Sequence, residues 1–193
     1  MRELVFLLEE PSAKAMLESL LPRILCESTQ YRCIPFEGKQ DLERQLVRKI
    51  RAYQNNHARF IVLRDQDSHP DCTAIKDHLL ELCAQSGRAA HCLVRIACRE
   101  LETFYLADLQ AVEQALDLTG LMQQQNCKKF RHPDRLGSPS QELRRLTNNH
   151  YAKVSGSRAI GQHLRIDNER SSSFRNLIAA IRRLEGELLG TNT

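Results

Sequence analysis

The chain has 193 residues, enough for one ordinary domain with a sizeable core. Its formal charge of +4 is only mildly basic, so nucleic-acid binding is permitted but not demanded. Seven scattered cysteines with no CxxC pair argue against a disulfide framework or a structural zinc site; with no apolar run of membrane-span length and an N-terminus unlike a signal peptide, they point to a reducing, cytoplasmic setting.

Residues 3–8 are expected to form the first strand. Leu4-Val5-Phe6-Leu7-Leu8 is a continuous apolar run of the kind buried in parallel sheets. Ser12 is placed to cap a helix from Ala13 to about Leu21. Residues 30–36 alternate weakly and carry Pro35, which suggests an edge strand. A charged helix follows over 40–55, with Leu42, Leu46, Ile50 and Tyr53 on one face. Phe60-Ile61-Val62-Leu63 marks a third strand over 59–64. Next come a helix over 73–85, a fourth strand over 90–97, and a mostly helical stretch from Cys98 to about Leu116. This β-α order implies a mostly parallel four-stranded sheet with helices on both faces. The α/β core is therefore assigned to 1–118. Residues 119–193 read as a polar loop region and a helical extension packed on the core, with helices near 140–149, 157–163 and 172–188.

The acids stand where the apolar runs end. Glu9 and Glu10 follow the first strand, Asp65 and Asp67 the third, and Glu100 and Glu102 the fourth. Carboxylates at the C-terminal ends of parallel strands lie where open α/β sheets bind ligands. Glu9, Asp65 and Asp67 gathered there would repel one another unless a cation joined them, and hard oxygen donors favour magnesium or manganese. The competing readings are structural. One of Glu9 and Glu10 would serve only the next helix dipole. Asp65 and Asp67 face one side if the segment is extended, but an Asp-rich turn would serve equally. Only one of Glu100 and Glu102 is expected to point at the site, and Asp108 reads as an exposed or capping acid.

Lys39 and Lys153 are candidate phosphate ligands, each set against an ordinary solvated lysine. Lys128-Lys129-Phe130-Arg131-His132 either touches a nucleic-acid backbone around one aromatic or forms a solvated loop. His69 and Cys72 have ligand-like spacing, but no second pair stands near them. Walker, Rossmann and nucleophile-elbow signatures are missing from the sequence.

Leu8-Glu9-Glu10-Pro11-Ser12-Ala13-Lys14 resembles the start of a TOPRIM domain, and Asp65-Gln66-Asp67 resembles its DxD. Together with Phe36-Glu37-Gly38-Lys39-Gln40-Asp41-Leu42 and the segment from Arg99 to Asp108, these stretches resemble the TOPRIM-like family called domain of unknown function 4276. The likeness continues through Tyr151-Ala152-Lys153 and Ser172-Ser173-Phe174. It implies that Glu9 is a metal ligand or general acid/base, and that Asp65 and Asp67 bind the metal. It further implies that Glu102, and secondarily Glu100, extend the site. Glu10 stands where glycine is usual, and Ala13 where a second acid often occurs, which removes one ligand of a two-metal site.

The resulting expectation is a magnesium- or manganese-dependent phosphodiesterase acting on DNA or RNA. Glu9, Glu102 and Lys153 would be catalytic, Glu9, Asp65 and Asp67 would hold metal, and Lys39 and Lys153 would hold phosphate. By analogy, the setting is bacterial antiviral defence beside a partner ATPase. The alternative is a regulatory module that binds metal or nucleotide without cleaving.

Overall fold

Among the described residues, 1–190 of a computed structural model, four strands form one all-parallel sheet in the order β2-β1-β3-β4. They are β1 (Glu3–Leu8), β2 (Gln30–Pro35), β3 (Arg59–Asp65) and β4 (Cys92–Ala97). β1 and β3 are the central pair, which is why their apolar runs show no alternation: both faces are covered. β2 lies at one edge, where Pro35 costs no interior ladder bond.

Alternation along the strands sends side chains to two apolar layers. Val5, Leu7, Phe60 and Val62 pack against α2 (Lys39–Arg51) and α3 (Cys72–Gln85). Leu4, Phe6, Leu8, Ile61 and Leu63 face the opposite layer, with α1 (Pro11–Leu20), α4 (Glu102–Leu106) and α5 (Leu109–Ala115). The same layer takes Leu143 of α6 (Pro139–Leu146), Ile160 of α7 (Lys153–His163) and Phe174, Leu177 and Ile181 of α8 (Ser172–Leu189). Residues on both sides of position 118 thus share one core. No helix among the described residues is long and apolar enough to cross a membrane.

The elements begin and end for local reasons. α1 starts at Pro11 with Glu10 as its N-cap, not after Ser12 as expected; Ser12 lies inside the first turn, and its hydroxyl donates to Glu10 Oε1 at 2.8 Å. Proline at the first helical position lacks only an N–H that would be unpaired anyway. The stretch expected as one helix from Cys98 divides into α4 and α5. Asp108 divides it, accepting the Ala111 N–H as the N-cap of α5 and the Arg165 N–H at 2.9 Å. Asp108 is therefore a capping acid, but a buried one. The polar region near 123–140 is folded down by Leu121, Gln125 and Phe130, all buried.

α7 lies against α1 at very close range. A Cβ at Gly161 would stand 2.6 Å from the Met16 carbonyl oxygen, so only glycine allows this approach. That contact seats the C-terminal half of α7 on α1, and the helix it holds begins at Lys153.

Candidate active site

The chain leaves β1 toward β2 and returns across it to β3. The sheet therefore has its topological switch point at the carboxyl ends of β1 and β3, where ligands bind in open α/β sheets. Glu9 follows β1 directly, and Asp65 is the last residue of β3. The two ends are laced together. The Glu9 N–H donates to Leu63 O at 3.2 Å, and the Asp65 N–H donates to Glu9 Oε2 at 3.0 Å. The Gly38 N–H donates to Glu9 O at 2.9 Å, which brings the start of α2 to the same rim.

Asp65 points to the α1–α4–α7 side of the sheet, as Ile61 and Leu63 do. Its carboxylate accepts the Leu101 N–H and feels Glu9, Glu102 and Glu10. Burial, then those three like charges, push it well above the usual carboxylate range. Burial likewise raises Glu9, with Asp67 and Glu10 adding to the shift while the Asp65 amide and Arg64 oppose it. Glu102, only 1% exposed, is raised by burial against the opposing pull of its own amide, Lys153 and Tyr151.

Asp67 reaches the site by another route than the extended alternation expected for Asp65-Gln66-Asp67. Its φ is +55°, left-handed backbone, so the pair lies in a turn. That turn is tied to the one after β4: Gln66 N–H donates to Ala97 O at 3.0 Å and Asp67 N–H to Arg99 O at 2.6 Å. Arg99 is left-handed too, with φ +63°. Two such residues in one interlocked pair of turns are held by the surrounding structure.

Two lysines reach the rim from helix starts. Lys39 Nζ lies 2.9 Å from Asp67 Oδ2, and Lys153 Nζ lies 2.6 Å from Glu10 Oε2. Burial works to lower the Lys153 ammonium, but Glu10, Glu102 and Asp65 outweigh it, and its pKa stands above that of an ordinary lysine. Lys153 therefore stays charged.

The fold thus brings together Glu9, Glu10, Asp65, Asp67, Glu102, Lys39 and Lys153. Glu100 turns away: its carboxylate accepts the Ser140 N–H at 2.6 Å in the first turn of α6. Among the described residues, no three carboxylate, imidazole or thiol groups are already spaced as ligands of one ion. The side chains are instead held by protein partners: Glu9 by the Asp65 amide, Glu10 by Lys153, Asp67 by Lys39 and Glu102 by Tyr151.

A family model matches residues 8–182 of the chain. The chain belongs to the family described as Domain of unknown function (DUF4276). Comparison with curated proteins and with solved structures gives no match. Every acid and lysine of the site lies inside the segment that the DUF4276 model covers.

Three further residues shape this DUF4276 site. The Tyr151 hydroxyl donates to Glu102 Oε1 at 3.0 Å and lies 3.1 Å from Ser157 Oγ. Its ring lies over Gly156, where a Cβ would stand 2.6 Å from Cδ2. The small residue five positions after a tyrosine, on the helix that carries Lys153, was the available signal. The Tyr105 hydroxyl, fully buried, sits beside Ser157 and feels Tyr151, Glu102 and Asp65. Arg64 lies under the rim with Nε 4.0 Å from Glu9 Oε2, while its Nη1 donates to Glu43 Oε1 at 2.5 Å.

The aromatic of the basic run is not available for stacking. Phe130 is buried in the core, and Lys129 is paired with Glu142 at 2.5 Å. His69 Nδ1 is engaged with the Asp71 backbone.

Proposed function

We propose that the chain is a metal-dependent phosphodiester hydrolase acting on nucleic acid. One observation carries the reading: Glu9, Asp65 and Glu102 come from three separate elements to the switch point, where the charges of Glu9 and Glu102 both raise Asp65. Glu9, Glu10, Asp65, Asp67 and Glu102 face Lys39, Lys153 and Arg64, and Arg64 is shared with Glu43. The excess negative charge favours a further cation. An all-oxygen donor set suits magnesium or manganese. Glu9, Asp65 and Asp67 would hold it once their side chains give up the present hydrogen bond and lysine contact. A bound divalent ion supplies Lewis acidity toward a phosphate oxygen and an acidified water.

The chain's own groups do the rest. Lys153, charged and half-exposed at the rim, neutralises a phosphate oxygen as charge develops. Lys39 does the same from the α2 side. Glu102, raised above an ordinary carboxylate by burial, is the group placed to take a proton at its carboxylate, and Tyr151 fixes which way that carboxylate faces. General-base help of this kind is worth roughly 10²- to 10⁴-fold. The resemblance of the strand-end acids to a TOPRIM site supports the same reading. By that resemblance alone, the setting is antiviral defence beside a partner ATPase. Seven unpaired cysteines fit a cytoplasmic location.

A second reading has its own observation. Lys153 on Glu10 and Lys39 on Asp67 already neutralise two of the acids, and Ala13 supplies no ligand. On that reading the chain is a regulatory module that binds metal or nucleotide without cleaving.

Plasmid, single-stranded DNA and transfer RNA, each incubated with magnesium or manganese, separate the two. The hydrolase cleaves at least one, and Asp65→Asn abolishes that cleavage. A parent that binds the ion and cleaves none of them supports the module.

A further inference from the structure

Two cavities lie beyond the acid cluster, and they meet. The first, about 400 Å³, opens at the free edge of β4 between α3 and α8, and is lined by Lys76, Arg95 and Ser172. The second, about 730 Å³, is lined by Arg131, Arg165 and Arg170, and again by Ser172. Ser172 is exposed and lines both, so the two hollows adjoin at that residue along one side of the molecule, a furrow in two parts. The furrow starts next to the acids. Cys98 lines its near end, and the adjoining Arg99 carbonyl accepts the Asp67 N–H at 2.6 Å.

Cations outnumber acids along this furrow, although Arg165 Nε is paired with Asp108 at 3.3 Å. Five lysine and arginine side chains line it, against the acids Asp167 and Glu169. Lys76, Arg131 and Arg165 are exposed. Arg131 and Arg170 are both steered by Asn126: Arg131 Nη2 donates to its carbonyl oxygen at 3.1 Å and Arg170 Nη2 to its Oδ1 at 3.3 Å. The nearest aromatic of the basic run, Phe130, is buried and offers no stacking platform. Spaced cations without aromatics suit a repeating phosphate backbone and not individual bases.

We infer that this furrow is the track along which a nucleic-acid strand is held beside the acid cluster, by backbone phosphates and without sequence preference. The inference rests on the hydrolase reading for its direction, since it places the substrate's flanking nucleotides on the β4 side. Lys76 engages the phosphates nearest the acids, and Arg131 and Arg170 those farther out.

Binding measured without cleavage tests it. Fluorescence anisotropy of a labelled 20-nucleotide single strand and a 20-base-pair duplex is followed in EDTA over a series of salt concentrations. The parent is compared with Lys76→Gln/Arg131→Gln/Arg170→Gln and with a matched control on α2 at the β2 edge, Arg44→Gln/Arg48→Gln/Lys49→Gln. Each lost phosphate contact lowers the slope of log K against log salt by about 0.7 to 0.9. The track variant is expected to lose roughly two in slope and tenfold or more in affinity near about 0.1 M salt. The control keeps the parent slope. A track variant with parent affinity and slope overturns the inference, as does a control that loses as much. A parent that ignores both oligonucleotides, or prefers phosphatidylserine vesicles to them, also overturns it. Thermal melts check folding, and if the triple variant is unfolded, single Lys76→Gln at an exposed position lowers the slope by the one-contact value of about 0.7 to 0.9. A parent that binds through the track but cleaves nothing sinks the hydrolase and leaves the track standing. A parent that cleaves with the track variant unaffected sinks the track alone.

Discussion

The Asp65 N–H donates to Glu9 Oε2 at 3.0 Å, so the last residue of β3 holds the first carboxylate after β1. These residues are 56 positions apart in the chain, and their neighbours pair in register as Leu8 with Leu63. The contact makes the rim of the sheet a single acidic unit instead of two separate turns.

That unit has a consequence for stability. Burial and like charges raise Asp65, Glu9 and Glu102 above ordinary carboxylates, so the folded protein holds protons that the unfolded chain releases. Their contribution is fully present below the ordinary carboxylate range and is lost as pH rises through the raised folded values. In EDTA, the melting temperature of the parent should fall relative to that of Asp65→Asn as pH climbs from about 4 to 8, the usual carboxylate pKa range being about 4. At neutral pH Asp65→Asn should be the more stable of the two, because it carries no charge to bury. A constant difference across that range contradicts the assignment.

Removing the Tyr151 hydroxyl separates support from chemistry. Tyr151→Phe deletes the bond to Glu102 and should cost about 1.5–3 kcal/mol, the range for hydrogen bonds to charged groups. Because that bond lowers the Glu102 pKa, its loss raises the pKa further. If Glu102 is the proton acceptor, it must be deprotonated to act, so the acidic limb of activity moves to higher pH. An unchanged pH profile with lowered stability would leave Tyr151 a purely structural residue.

Gly161→Ala tests how Lys153 is positioned. Its Cβ would meet backbone, the Met16 carbonyl oxygen at 2.6 Å, so α1 and α7 must separate. Overpacking of this kind costs about 1–3 kcal/mol. Activity should fall further than that of a destabilised variant with the α1–α7 contact intact, because Lys153 loses its place over Glu10. A Gly161→Ala protein with the parent's melting temperature contradicts the close approach.

Glu100 and Glu102 should behave differently. Glu100→Gln keeps an acceptor for the Ser140 N–H but removes the negative charge at the first turn of α6, and should cost about 0.3–1 kcal/mol with little effect on turnover. Glu102→Gln should remove most activity while keeping the fold. Equal losses in both would return Glu100 to the site.

Much of this arrangement was legible because it depends on short-range pattern. The β1 and β3 runs are continuously apolar, which marks buried parallel strands, and the acids stand directly after them in the sequence. Pro35 marked the edge strand for the same kind of reason. What failed depended on contacts between distant residues. Nothing local to Asp67 shows that Arg99 will pull its amide into a left-handed turn. Asp108 could be read as a capping acid, but its burial depends on the arrival of Arg165, 57 positions away. Phe130 sits among lysines and arginines, and its burial is decided by the core that the C-terminal segment completes. Tyr151 was seen only as a neighbour of Lys153, since its partner Glu102 is 49 positions away.

Manganese binding followed by electron paramagnetic resonance tests the central claim most directly. The parent should take up the ion, with Asp65→Asn and Glu9→Gln each weakening uptake tenfold or more and Glu100→Gln leaving it unchanged, as expected when only the first two supply ligands. A parent that leaves manganese free in solution, or an Asp65→Asn protein that binds it as the parent does, would contradict a cation shared at this rim.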